Sequence, residues 1–279
     1  MKKKPLVSVN VRTYNSEKTL RKTLNSIKEQ TYKNIEIVVS DGYSRDKTVE
    51  IAKEYGCRVH YVEKLGDAKY RDYKMSKGDY IFCLDSDQIA DRKVIEECLY
   101  LCEEKGMDAV IISEQSLIVK GSLVEKLIAY DKWVIDQRKD TNMFFGTAFP
   151  RFFKRKIFDD LKWPKGLKVF DDIIIYSKLL KQGAKVGFLS EQHILHHEIT
   201  SWSVYVKKWF RYGKGYLGAL KEQADTTLSH SLPRRSYFSK YAFSKPHYFF
   251  GLLLLYVVKI FAAFVGVIYS LIEGGKNAK

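Results

Sequence analysis

Acidic residues nearly vanish from the last eighty positions of this 279-residue chain, where three stand against twelve basic ones. The first 199 residues are closer to balance, with 36 basic and 30 acidic side chains, so +9 of the overall +15 belongs to the final stretch. That stretch is also the most apolar part of the sequence. The pairing points to an anionic membrane surface or to lipid phosphates rather than to nucleic acid. A solvated basic face is the plainer alternative.

Cysteine is sparse as well. Cys57, Cys83, Cys98 and Cys102 include no Cys-x-x-Cys spacing and no neighbouring histidine pair. This speaks against a disulfide scaffold and a structural zinc site, and suits reduced thiols. No apolar leader follows Met1-Lys2-Lys3-Lys4-Pro5, so the bulk of the protein is expected on the cytoplasmic side of a membrane. No internal repeat and no low-complexity linker is visible, and 46% hydrophobic with 29% charged residues excludes wholesale disorder.

What the chain does contain is an alternation of strand and helix patterns. Val7 to Val11, Ile35 to Val39, Val59 to Val62 and Tyr80 to Leu84 read as strands. Helices are expected between them, from Asn15-Ser16 to about Glu29 and from about Lys47 to Tyr55. Such alternation predicts an α/β fold with a doubly wound, mostly parallel sheet. Further on, Asp108 to Ser113, Met143 to Phe149 and Val186 to Leu189 read as strands. Phe170 to Gln182 and the basic, aromatic-rich Val204 to Leu220 read as helices.

Open sheets of this kind bind ligands beyond the carboxyl ends of their strands. Three polar clusters fall at those ends: Arg12 to Asn15, Ser40 to Asp46, and Asp85-Ser86-Asp87. Two carboxylates separated by one residue at a strand end can share one hard divalent cation, directly or through water. On residue type alone the same pair is also an ordinary solvated loop. Its place after an apolar strand is what raises it above one.

Tyr248 to Ile272 is a 25-residue run with one charge, Lys259. At about 1.5 Å per residue it can cross a hydrocarbon core of about 30 Å. A single transmembrane helix is the preferred reading, with an interfacial or re-entrant helix and a buried helix as the others. Lys259 near its middle is costly unless it snorkels, pairs or lies in a bend.

The motifs taken together resemble the family 2 glycosyltransferases of the GT-A fold. The residues that carry the match are Val7-Ser8-Val9 with Arg12-Thr13-Tyr14-Asn15, then Leu24-Asn25-Ser26-Ile27 with Gln30-Thr31-Tyr32. They continue with Glu36 to Gly42, Ser44, Asp46 and Thr48, and with Gly78-Asp79-Tyr80-Ile81 leading to Leu84-Asp85-Ser86-Asp87. The match is strong over about residues 6–105 and looser over 140–215.

This resemblance implies an inverting transferase that moves a sugar from a UDP- or GDP-type nucleotide diphosphate donor. It places Tyr14 against the base, Asp41 on the base edge, and Arg12, Lys69, Arg71 and Asp85 around the rest of the nucleotide. Mg²⁺ or Mn²⁺ is expected on Asp85 and Asp87, with His196 near it. Phe170-Asp171-Asp172 matches the family's acidic pair, so Asp172 is the expected general base, although the two carboxylates also suit a plain helix cap. Lys208, Arg211 and Tyr212 resemble a degraded form of the Gln-x-x-Arg-Trp motif of processive members and are candidates for acceptor or phosphate contact, with Asp171. Arg12 stands in place of a common proline, Ser40 in place of an acid and Tyr70 in place of an asparagine.

The expected organisation is a GT-A catalytic domain over 1–200, a basic interfacial region over 201–246 and a C-terminal membrane segment over 247–273. Within the first, 1–105 would bind the nucleotide sugar and 106–200 would carry the acceptor side and the base. The acceptor is expected to be a lipid-linked glycan or polyprenyl phosphate at a membrane, with no nucleic acid involved. A nucleotidyltransferase would need a Gly-rich phosphate loop after the first strand, and Arg12-Thr13-Tyr14-Asn15 is not one. A non-catalytic membrane scaffold or nucleic-acid binder is the other alternative, but it gives no reason for Asp41, Asp85, Asp87 and Asp172 all to stand at site positions.

Overall fold

Alternating valines start the sheet. Strand β1, Val7–Thr13, buries Val7, Val9 and Val11 completely, and its intervening Ser8 and Asn10 are buried as well. A strand covered on both faces must satisfy its polar side chains internally. Ser8 Oγ donates to Glu36 and accepts from the Gly78 N–H at 2.8 Å, while Asn10 accepts from Ser76 Oγ at 3.1 Å.

A computed structural model of the chain describes residues 4–63, 68–137, 149–164, 166–167 and 169–276. In it, β1 pairs in parallel with β2, Ile35–Asp41, and with β4, Tyr80–Asp85, while β3, Arg58–Tyr61, pairs in parallel with β2. Helices α1 (Leu20–Lys28), α2 (Thr48–Glu54) and α3 (Ala68–Met75) connect them. Beyond β4 the sheet changes direction. Strand β7 (Pro150–Lys154) is antiparallel to β4 and to β6 (Ala109–Leu117), and β5 (Gln88–Ala90) is antiparallel to β8 (Val186–His197). The order is β3-β2-β1-β4-β7-β6-β8-β5, an eight-stranded mixed sheet. Its parallel half is where sequence periodicity places it.

Two boundaries differ from the expected ones. Helix α1 begins at Leu20 rather than near Ser16, because residues 14–19 form a loop in which Asn15 takes a left-handed φ of 49°. Strand β8 runs on to His197, which carries His196 into the sheet. The strand expected at Met143 to Phe149 lies outside the described residues except for Phe149, and the strand described next to it begins at Pro150. Helix α4, Val94–Glu103, was not anticipated, although Val94, Ile95, Cys98, Leu99 and Cys102 form a buried helical stripe.

The chain divides into two compact units. The first comprises Met1–Glu114, Ala148–Gly166 and Lys178–His196, and holds the main core, in which Leu20, Leu24, Phe82, Ile95 and Phe152 are fully or almost fully buried. Its four cysteines are unpaired, and burial pushes the Cys83 thiol up to about 11 and Cys102 up to about 12. Neither offers a thiolate nucleophile near neutral pH.

The second unit comprises Gln115–Thr147, Leu167–Ser177 and His197–Lys279 and is mainly helical. Helix α5 (Leu123–Asp136) starts in a capping box. Ser122 accepts from the Glu125 N–H, and the buried Glu125 carboxylate accepts from the N–H groups of Val119, Lys120 and Ser122. The N-terminal part of α6, Asp171–Lys181, also belongs here. It is followed by α7 (Trp202–Glu222), α8 (Ala224–Ser231), α9 (Lys240–Phe243) and α10 (Pro246–Lys276). Leu127, Val124, Tyr205 and Leu255 join α5, α7 and α10 in one apolar cluster.

Candidate active site

Because β1, β2 and β4 are parallel neighbours in register, their carboxyl ends deliver a row of side chains. Arg12 stands beside Ser40 on one side and Asp85 on the other, and Thr13 beside Asp41. Arg12 Nη2 donates to Asp85 Oδ1 at 2.8 Å. Arg151, from β7, places Nη1 3.3 Å from Asp85 Oδ2 and donates from Nε to Glu114 Oε1 at 2.6 Å. Burial alone would push the Asp85 carboxyl up. Arg12, Arg151 and His196 more than offset it and hold Asp85 well below the usual carboxylate range. Asp85 is therefore a carboxylate at any physiological pH.

Asp41 is fully buried. Its carboxylate accepts from Thr13 Oγ1 at 2.8 Å, Ser44 Oγ at 2.6 Å and the Ser44 N–H at 2.8 Å. These three bonds fix the carboxylate at the end of β2, beside the loop that carries Tyr14. Tyr14, in contrast, is 58% exposed, and Gly42 lies so close that a Cβ there would meet the Tyr14 ring at 3.3 Å. Glycine at position 42 leaves that ring its place.

The loops after β1 and β2 are laced together. Asn15 N–H donates to Ser44 Oγ, Arg45 N–H to Asn15 Oδ1, Ser16 N–H to Thr48 Oγ1 and Glu17 N–H to Asp46 Oδ2. Ser16 and Ser86 hydroxyls meet at 2.7 Å, tying the first loop to the Asp-Ser-Asp turn. Among the described residues, three non-glycines adopt left-handed backbone: Asn15, Tyr43 and Phe170. Each adjoins a candidate site residue, namely Tyr14, Gly42 beside Asp41, or Asp171. Backbone held in sparsely populated conformations clusters at functional sites because the surrounding bonds over-determine it. Tyr43 stacks on Tyr61 with ring centroids 5.2 Å apart, both largely exposed.

Asp87 is partly exposed, and its Oδ1 lies 3.5 Å from His196 Nε2, across the β5–β8 pairing that sets Gln88 opposite His196. The other ring nitrogen of His196 is 3.7 Å from Glu114 Oε2. A carboxylate behind a histidine orients the ring for metal ligation. Among the described residues no three His, Cys, Asp or Glu side chains converge as a complete metal set. Asp87 and His196 are the residues that could hold a Mg²⁺ or Mn²⁺ ion, provided that other ligands came from outside the protein. Lys69 and Arg71 both lie on α3, the first half-buried and the second exposed.

In the helical unit, Asp171 and Asp172 form the first turn of α6, Asp171 half-buried and Asp172 exposed. Phe170, at φ 64°, turns the chain into that helix and packs edge-on against Tyr212 at 5.3 Å and Tyr216 at 6.0 Å. The structure thus brings Tyr212 of α7 to the loop that presents the acidic pair. Lys208 is half-buried and Arg211 exposed on the same helix. Sequence reasoning missed Arg151, Glu114 and the Tyr43–Tyr61 pair. Tyr43, next to Gly42 at a strand end, carried a usable signal; Arg151 and Glu114 carried none.

The family model described as "Glycosyl transferase family 2" matches residues 8–162, more than half of the chain. Glycosyltransferase GlyG of Streptococcus pneumoniae is 26% identical over 215 residues, covering 68% of this chain and 70% of that protein. Poly(ribitol-phosphate) beta-N-acetylglucosaminyltransferase TarP of Staphylococcus aureus is 29% identical over 168 residues, covering 56% of this chain and about half, 51%, of that protein. Among solved structures, mannosyltransferase PcManGT of Pyrobaculum calidifontis, in complex with GDP-Man and Mn²⁺, superposes with a TM-score of 0.59 at 16% identity over 99% of this chain and 81% of that one. Staphylococcus aureus TarS 1–349, in complex with UDP-GlcNAc, gives 0.58 at 18% identity over 94% of this chain and 81% of that one. At these identities the structural likeness is one of fold.

Proposed function

The chain belongs to glycosyl transferase family 2, and from that premise we propose that it transfers a sugar from a UDP- or GDP-type donor to an acceptor at a membrane, with inversion. The observation that carries this reading is the row of Arg12, Asp41 and Asp85 along three parallel strand ends, bordered by two loops with left-handed residues. Tyr14 offers an exposed ring for the base, and Asp41, at the neighbouring strand end, is the carboxylate for an N–H on the base edge. Arg12 and Arg151 keep Asp85 ionised for ribose hydroxyls or a metal-bound water.

Asp87 and His196 would hold Mg²⁺ or Mn²⁺, which when bound neutralises charge on the departing diphosphate. Asp172 takes the proton of the acceptor hydroxyl as that oxygen bonds to the anomeric carbon. The bond from that carbon to the donor phosphate breaks, and the nucleoside diphosphate leaves with its electron pair. A lipid-linked glycan, which supplies such a hydroxyl, fits the basic, apolar last third of the chain; a polyprenyl phosphate fits it too, but would attack through an already ionised oxygen without needing the base.

The test is a panel of nucleotide sugars with membrane extract as acceptor, in Mn²⁺, Mg²⁺ or EDTA. One donor should turn over in the presence of metal and not in EDTA. Asp172→Ala should lower transfer by about 10²–10⁴-fold, the usual worth of a general base, and Asp87→Ala should abolish the metal response. Turnover unchanged in both variants overturns the assignment.

A further inference from the structure

Helix α10 is long and apolar enough to cross a bilayer over Pro246–Glu273, yet only 22% of its most apolar window is buried. It also does not stand alone. A Cβ on Gly213 of α7 would fall 2.0 Å from the Ala263 carbonyl oxygen, and one on Gly266 would fall 2.2 Å from that of Phe210. The two backbones therefore touch, which only small residues allow. The contact continues along both helices. Tyr205 hydroxyl donates to the Leu255 carbonyl at 3.1 Å, Lys259 Nζ sits 4.6 Å over the Trp209 ring, and Lys214 pairs with Glu273 at 2.9 Å.

Helix α7 carries Lys207, Lys208, Arg211, Lys214 and Lys221 along this stretch. Were α10 to stand across a membrane, α7 would be drawn into the hydrocarbon beside it with those charges, each costly at that depth. Lys259, the one charge in the apolar run, is turned onto α7 instead of outward. Away from α7, a line of large apolar side chains runs the length of α10: Phe250, Val257, Phe261, Phe264, Ile268 and Leu271 are all exposed. Further exposed apolar residues flank that line on both sides, so the face is broader than the seam of a two-helix coiled coil. A broad apolar face with cations beside it matches a helix lying in the plane of an anionic bilayer surface.

We propose that α7 and α10 form an in-plane docking module that enters one leaflet of an anionic bilayer, so that both ends of the chain remain on the same side. This rests on the membrane side of the proposed function and replaces a spanning anchor with a monotopic one.

Two measurements decide it. The full chain, tagged before Met1 and after Lys279, is expressed in cells and the tags are probed with protease in sealed vesicles of each orientation. Both tags should be cleaved together or protected together; a C-terminal tag on the opposite face overturns the proposal. Purified full-length protein is then sedimented with phosphatidylglycerol-containing vesicles and with pure phosphatidylcholine vesicles. Binding should favour the anionic ones, and Phe261→Glu with Phe264→Glu should lower it at least about tenfold, with the circular dichroism spectrum retained. Unchanged sedimentation of the double variant overturns the proposal. So does the absence of vesicle binding together with a dimer that the double variant abolishes, which would make a second copy the occupant. Donor hydrolysis without membranes, measured on the same variant, reads the transferase separately, and its failure in the unsubstituted chain would sink that reading alone.

Discussion

Arg151 reaches from β7 to two carboxylates at once, Asp85 and Glu114, with its own side chain 17% exposed. Its loss would leave Asp85 and Glu114 to repel each other with less positive charge between them. Arg151→Met keeps the apolar stem and removes the charge. Because Asp85 is about a third exposed, solvent softens the effect. Stability should fall by about 1–3 kcal/mol, read in urea unfolding. Donor kcat/KM should fall at least about tenfold, because Asp85 loses a direct partner and Glu114, which stands behind His196, loses its anchor. A variant with unchanged kinetics would reduce Arg151 to a structural role. No pattern around position 151 announces this residue; its importance comes from partners 66 and 37 positions away. Asp41, Asp85 and Asp87 were legible because each ends an apolar run, and a strand end is a local feature.

Elements were legible to the extent that their periodicity was clean. Strands β1, β2 and β4 read directly because their short apolar runs stop at polar clusters. The antiparallel half of the sheet was not legible, since strand direction depends on which edges pair and no local period records that. Helix–helix contact is similar. In sequence Gly213 lies unmarked inside the expected Val204 to Leu220 helix, but in space it is where α7 and α10 meet. Gly213→Ala gains about 1 kcal/mol of helix propensity. A methyl group 2.0 Å from a backbone oxygen cannot be accommodated without moving a helix, which costs about 1–3 kcal/mol or more. The clash should win, lowering the urea midpoint, whereas Gly218→Ala, with nothing within 4 Å, should raise it. Equal effects at the two positions would refute the close packing of α7 on α10.

At the scale of the whole molecule, charge is distributed unevenly. The last eighty residues hold +9 of the +15, and in the helical unit those cations lie on and around the same helices as the exposed apolar face. Raising salt from about 0.1 to 1 M shrinks the screening length from about 10 to 3 Å. Transfer to acceptors in anionic membranes should therefore fall several-fold over that range, while hydrolysis of the soluble donor changes little. Parallel losses in both assays would show that salt acts on the donor site instead.

The family, the parallel strands and the acidic and aromatic residues at their ends were readable from residue order, because these depend on short-range period and on motifs that follow one another along the chain. So was one long apolar helix near the C-terminal end. That Arg151 and Glu114 join Asp85 and His196, and that Tyr212 packs against the turn before Asp171, emerged from the folded chain alone. The same holds for α10, which lies backbone to backbone on a basic helix. Each of these rests on contacts between residues far apart in the chain, where strand pairing and helix packing, not local pattern, choose the neighbours.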